Sequence, residues 1–149
     1  MTDLLKRVQT EIDDIHAFFT DWVNGTCPGD EDTFRTNALD HMADNLVVTM
    51  PAGRSFGKSD FAGYMSSIYG TNPDFKIKIR DLVLRHHIGS AIVVNYKEWQ
   101  RNAQDSDDPN NGRQTTMVLR ELGNNGFEFL QVHETWLPPE EVENGDFSF

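Results

Sequence analysis

The sequence is poor in cysteine and in basic residues. Its 149 residues include one cysteine, Cys27, which excludes an intrachain disulfide and a multi-cysteine metal site. It has 13 Lys and Arg against 24 Asp and Glu, a formal net charge of -11. So few cations argue against a surface that follows nucleic-acid phosphates and against binding to an anionic membrane. We therefore expect neither nucleic acid nor a membrane as a partner.

Long hydrophobic runs are also missing. No stretch approaches the ~18 apolar residues of a membrane-spanning helix, and the first residues are too often charged for a secretory signal, so we expect a cytoplasmic location. The length is that of one domain. The acidic residues cluster at 13–14, 30–32, 105–108 and 140–146. We expect these clusters to form a solvated shell away from any cavity.

The hydrophobic pattern changes half-way along the chain. Apolar residues at steps of three and four predict a first helix, whose stripe is Leu4, Val8, Ile12, Ile15, Phe19 and Trp22. Further helices are predicted from about residues 30 and 58, with a short strand at 46–50 between them. The second half is predicted to be strands, with a β-bulge near Arg80-Asp81, where the apolar alternation slips by one residue. This order indicates an α+β fold in which a curved, mostly antiparallel sheet wraps around three helices.

Short motifs add to this order of elements. They are the segment 44–51 leading to Gly57 and a helix, and a last strand that begins with Phe127 and contains His133 and Thr135. Over residues 3–137 the chain resembles the nuclear transport factor 2-like (NTF2-like, cystatin-like) superfamily, and within it the SnoaL-like, DUF4440-type branch of unknown function. The resemblance implies a cone-shaped single domain at 1–137, followed by an acidic tail at 138–149 that is mobile or docked on a surface.

The resemblance leaves two functions open. The first is binding of a small, largely hydrophobic molecule in the cone, with lyase, isomerase or hydrolase activity as an option and no cofactor. The second is a non-catalytic homodimeric module for binding or assembly that pairs through its sheet. Ketosteroid-isomerase chemistry is disfavoured because Met50 stands before Pro51, where that enzyme has its carboxylate base, and a thioether accepts no proton at neutral pH.

Side chains alternate between the two faces of the last two predicted strands. The sequence leaves open which of these faces packs on the helices. If the apolar face packs on the helices, Arg120, Gln131 and His133 form an outer face suited to a dimer interface. If the faces are reversed, His133 and Arg120 point into the cone. His133 is the best single catalytic candidate. The expected pocket residues are Phe19, Trp22, Met50, Tyr64, Trp99 and Arg120.

Carboxylate pairs and metal sites are not expected. Glu98, Glu121, Glu128 and Glu134 lie on predicted strands, but parity does not bring them to one pocket. Adjacent strand residues such as His86 and His87 point to opposite faces and cannot bind one ion together, so no metal is expected.

Overall fold

The computed structural model describes residues 2–104 and 106–149. Its longest helix, α1 (Asp3–Asn24), begins where the Thr2 hydroxyl accepts a hydrogen bond from the Leu5 N–H at 3.2 Å. The helix ends at Gly25, whose φ of 77° is a left-handed conformation that glycine adopts without strain. Its buried face carries the predicted apolar stripe, including Val8 and Ile12, which are fully buried.

In the part of the chain that the structure describes, three further α-helices are short, and a single 3-10 turn is formed by Leu39–His41. Asp30 caps α2 (Glu31–Asn37) through its carboxylate, which accepts from the Thr33 N–H at 2.8 Å. The helix α3 (Lys58–Ile68) follows the second strand, and α4 (Pro139–Glu143) lies in the predicted tail. The sequence predicted three helices. The fourth forms because Pro139 occupies the first helical position, where its missing N–H costs nothing.

Among the described residues, six strands form one sheet. They are β1 (Met42–Thr49), β2 (Ser55–Gly57), β3 (Lys76–Ile88), β4 (Ala91–Arg101), β5 (Asn111–Glu121) and β6 (Phe127–Trp136). Their order is β2-β1-β6-β5-β4-β3. Neighbours are antiparallel except β1 and β6, which are parallel. The helices α1, α2 and α3 cover the inner face of this sheet, and the opposite side is called the outer face below.

Bulges decide which side chains reach the inner face. The predicted bulge in β3 is confirmed by a register shift between Arg80 and Val83. A second shift, in β6, pairs Val118 with Gln131 but Leu119 with Phe129, which leaves Leu130 as an extra residue. Phe127 and Phe129 are consequently buried on the inner face rather than sharing a face with His133, as simple parity predicted.

The core lies between α1 and the middle of the sheet. It combines Ile12 from the helix with Ile92, Val94, Leu119 and Phe129 from the strands, each no more than 2% exposed. Along β4 the buried inner-face residues change from Ile92 and Val94 to Tyr96 and Glu98. A cavity lies beside Tyr96 and Glu98.

Candidate functional site

A cavity of about 160 Å³ lies between α1 and the inner face of the sheet. Most of its wall is apolar, built from residues such as Phe19, Leu46 and Met117. Its polar lining residues come from α1, α3 and the two strands β4 and β6. They are His16, Tyr64, Tyr96, Glu98, Gln100 and Glu134. An apolar chamber with a few convergent polar groups is typical of a small-molecule site.

Strand register brings the polar residues together. Tyr96 in β4 pairs with Thr115 in β5, which pairs with Glu134 in β6. One step along the same face, Glu98 pairs with Arg113. Because inner-face residues alternate with outer-face residues, these two neighbouring rows place both carboxylates in one cavity wall. This corrects the prediction that the strand carboxylates do not converge.

Glu98 forms a buried ion pair with His16 of α1. The His16 Nε2 lies 3.1 Å from Glu98 Oε1, and its Nδ1 lies 2.7 Å from the carbonyl oxygen of Ile12. Both partners accept only, so each ring nitrogen donates and the ring is an imidazolium. Burial disfavours that charge, but the Glu98 hydrogen bond and charge outweigh it and raise the pKa of His16.

The same pair keeps Glu98 ionised. Burial favours the neutral acid, but the hydrogen bond and charge of His16, with the charge of Arg113, lower the pKa of Glu98 to about 2. Gln100 Nε2 also donates to Glu98 Oε2 at 2.6 Å. Glu98 therefore carries a fixed negative charge inside the cavity throughout the physiological range.

Glu134 behaves in the opposite way. Burial and the nearby negative charge of Glu98 raise its pKa to about 7, although Arg113 and His16 oppose the shift. Arg113 Nη1 lies 3.3 Å from Glu134 Oε2, and the guanidinium is over the Trp136 ring at 5.1 Å. Glu134 is thus a carboxyl group that gains and loses its proton near neutral pH, beside a carboxylate that does not.

Tyr96 adds a neutral hydroxyl to this wall. Burial, and then the charges of Glu98 and Glu134, raise the pKa of Tyr96 well above its usual value, so the phenol keeps its proton. The site can therefore present a neutral phenol beside one carboxyl group able to donate or accept a proton.

A larger cavity of about 1100 Å³ adjoins the first and shares Phe19, Met50, Tyr64 and Gln100 with it. Arg113 lies in its wall, and so do Asp107 and Asp108 of the β4–β5 loop and Glu143 of α4. Acidic clusters predicted to lie away from the cavity thus contribute to this outer chamber, because the loop and the tail both fold over the same end of the sheet. Asp105, from the same cluster, lies outside the described residues.

Three of the residues named from the sequence as pocket residues line the two cavities. Phe19, Met50 and Tyr64 line both cavities. Phe19 comes from the inner face of α1, Met50 from the end of β1 and Tyr64 from α3. Their positions make the passage between the two chambers largely aromatic and apolar.

Four other predicted site residues lie elsewhere. Trp22 is buried in the core, where its Nε1 donates to the Met65 carbonyl at 2.8 Å. Trp99 is on the outer face, and Arg120 is exposed and donates to Glu128 at 2.7 Å. His133 is exposed next to Glu134 on β6, so it points away from the cavity. These positions correct the expectation that the four line the cavity, and they match the first of the two hairpin assignments.

Solved structures share this architecture. An NTF-2-like protein of unknown function from Pseudomonas aeruginosa has a TM-score of 0.77 at 20% identity, with 89% of this chain and 99% of that chain covered. The chain has the NTF2-like fold. This confirms the predicted α+β, cystatin-like class. No protein-family model matches the sequence, and no curated protein matches it, so the SnoaL-like placement stays a prediction.

Other neighbours with the NTF2-like fold have different descriptions. A CaMKII hub from S. rosetta has a TM-score of 0.67 at 16% identity, covering 89% of this chain and 95% of that one. A ketosteroid isomerase-like protein from Erwinia carotovora atroseptica has a TM-score of 0.61 at 13% identity, covering 93% and 100%. At these identities the likeness shows the fold alone.

Within residues 2–104 and 106–149, no group of three His, Cys, Asp or Glu side chains is arranged to hold a metal ion. No helix there combines the length and hydropathy that crossing a bilayer requires.

Proposed function

We propose that the chain binds a small, largely hydrophobic molecule in its cone-shaped cavity and that Glu134 exchanges a proton with it. The observation that carries this is the pair of carboxyl groups with opposite pKa shifts, Glu98 at about 2 and Glu134 at about 7, in one mostly apolar cavity. A catalytic acid or base works best when its pKa lies near the working pH. Proton transfer at carbon or oxygen is the step that isomerases, lyases and hydrolases share.

Each neighbour of Glu134 has a role in the proposal. Glu98, held ionised by His16, favours the protonated form of Glu134 through charge repulsion. Arg113 contacts both Glu134 oxygens, at 3.3 and 3.5 Å, and so fixes the orientation of the carboxyl group. Tyr96 supplies a hydroxyl suited to the oxygen of a neutral ligand. His16 positions Glu98 and has no free nitrogen for a substrate.

Proton exchange at small ketones tests this role. We expect the chain to speed deuterium incorporation next to the carbonyl of small cyclic ketones in D2O, followed by NMR, with an apparent pKa near 7. Glu134→Gln should abolish the exchange. The matched control is Glu128→Gln, which alters a carboxylate of the same strand that binds Arg120. Equal exchange rates for wild type and Glu134→Gln would remove Glu134 from the proposal.

A homodimeric module remains a second candidate because the centre of the outer face is uncharged in a chain of net charge -11. Register places Val47, Gln131, Val118 and Val93 in one row across four strands. His133 lies in the next row, between Thr49 and Thr116, and is exposed. Such a face suits contact with a second copy better than a charged one.

Light scattering at micromolar concentration tests the dimer. A stable pair should bury roughly 1,200 Å² or more in total. Val118→Glu should then give a monomer, while Val118→Thr, which adds no charge, should keep the dimer. A wild-type monomer would count against this candidate and would leave the cavity proposal intact.

A further inference from the structure

The end of the chain packs on the outer face of the sheet. Residues 144–149, here called the tail segment, cross the ends of β3 and β4. They contact Arg80, Trp99 and Arg101, which are called the outer-face site. Trp99 is 5% exposed although it lies on the outer face. Its ring lies against Gly112 and against Gly145 and Phe147 of the tail segment.

Aromatic contacts form the centre of this packing. The Phe147 ring meets the Trp99 ring edge to face, with centroids 5.5 Å apart. Gly145 passes so close to the same ring that an added Cβ would lie 2.5 Å from Trp99 Cζ3. The glycine therefore allows the backbone to approach the tryptophan, and the fit depends on the order of residues in the segment.

Two guanidinium groups hold the backbone of the segment. Arg80 Nη1 donates to the Asp146 carbonyl at 2.8 Å, and Arg101 Nη1 donates to the Phe147 carbonyl at 2.9 Å. Both guanidinium carbons lie over the Phe149 ring, at 5.5 and 5.7 Å. The Asp146 carboxylate is 3.7 Å from Arg80. In a chain with so few cations, two arginines converge on one acidic, aromatic segment.

The docked arrangement leaves two polar groups of the outer-face site unsatisfied. Within the described residues, Trp99 Nε1 and Arg101 Nε are buried without a hydrogen-bond acceptor. The chain's own segment therefore fits well without satisfying every group of the site.

We propose that the outer-face site is a peptide-recognition site for an acidic, aromatic segment of the form Asp-Phe-x-Phe, and that the tail segment of a second copy binds there when the chain's own is displaced. The charge of the segment complements the two arginines, and its phenylalanines fit Trp99 and the guanidinium faces. In the intact chain the tail segment of the same copy occupies the site in preference to that of a second copy. Its covalent connection gives it an effective concentration on the order of millimolar.

A peptide added to a chain with a disabled tail tests the recognition. The probe is a fluorescent peptide with the sequence of residues 143–149, followed by anisotropy. Full-length Phe147→Ala/Phe149→Ala chain should bind it at least tenfold more tightly than wild type, whose site is filled. Adding Arg80→Ala should weaken binding at least tenfold, and a peptide with both phenylalanines replaced by alanine should not bind.

Complementary chains test the exchange between copies. One chain carries Phe147→Ala/Phe149→Ala and keeps the site, while the other carries Arg80→Ala/Arg101→Ala and keeps the tail. When the two chains carry donor and acceptor labels, mixing them should give energy transfer. Donor- and acceptor-labelled samples of either chain alone should give none. The proposal would be overturned if the folded Phe147→Ala/Phe149→Ala chain did not bind the peptide. It would also be overturned if wild type bound the peptide as tightly as that variant. If the Phe147→Ala/Phe149→Ala chain does not fold, hydrogen exchange of the backbone amides at 144–149 is compared between wild type and Arg80→Gln. Exchange that is faster in Arg80→Gln supports the outer-face site, and unchanged protection overturns it.

Discussion

Replacing Glu134 with Gln should remove a specific part of the pH dependence of stability. The pKa of Glu134 in the folded chain is raised from 4.5 to about 7. The folded state therefore holds this proton more tightly than the unfolded state does. The resulting stability is fully present below pH 4.5 and is lost as the pH rises through about 7. Gln resembles the protonated carboxyl group at every pH, so the variant lacks this loss.

The magnitude follows from the two pKa values. Moving a carboxyl pKa from 4.5 to about 7 changes the free energy of unfolding by about 3 kcal/mol across that interval. Other titratable groups also change the free energy of unfolding with pH. The quantity to compare is therefore the wild-type value minus the Glu134→Gln value, in which their contributions largely cancel.

Urea unfolding at several pH values between 4 and 8 measures this difference. The free energy of unfolding of wild type minus that of Glu134→Gln should be highest at low pH. By pH 8 this difference should have fallen by about 3 kcal/mol. Glu128→Gln, on the same strand and outside the cavity, should follow the wild-type curve. A wild-type minus variant difference that is constant with pH would refute the assignment of a raised pKa to Glu134.

Further substitutions test the surroundings of the site by urea unfolding. His16→Ala should cost about 3 kcal/mol at pH 7, because it leaves the Glu98 charge buried without its partner; a cost below about 1 kcal/mol would contradict the buried ion pair. Trp22→Phe should cost about 1 kcal/mol by losing the bond to the Met65 carbonyl and should leave ligand uptake unchanged, whereas weaker uptake would restore Trp22 to the cavity. Gly112→Ala should destabilise by roughly 1–3 kcal/mol, because the added Cβ meets the Leu137 side chain at 2.8 Å and the Trp99 ring at 3.0 Å; an unchanged unfolding midpoint would show that both side chains move aside.

The class of fold could be predicted because it depends on local patterns. The stripe of α1, the bulge near Arg80 and the run of strands each leave a periodic signal in the sequence. The fourth helix was not predicted, although Pro139 suits the first position of a helix. The tail is predicted only as mobile or docked, because its docking depends on contacts between residues 144–149 and Trp99. The aromatic residue at position 99 was assigned to the pocket for its type, whereas its alternation with Glu98 places it on the outer face.

The candidate site could be predicted only in part. Phe19, Met50 and Tyr64 were named because aromatic and thioether side chains suit the lining of a cavity. The carboxylate pair was missed because convergence depends on the register of three strands, which is set by pairing. A usable signal was present for Glu98, which continues the period-two pattern of buried residues on β4. On β6 the bulge breaks that pattern between Phe129 and Glu134.

The most direct test of the account is the proton affinity of Glu134 itself. A carbon-13 NMR titration that resolves its side-chain carboxyl group should give a pKa of about 7 in wild type. In Glu98→Gln the pKa of Glu134 should fall, because the repelling charge is gone. A Glu134 pKa near 4.5 in wild type, unchanged by Glu98→Gln, would contradict both the coupling of the two carboxyl groups and the proposed proton transfer.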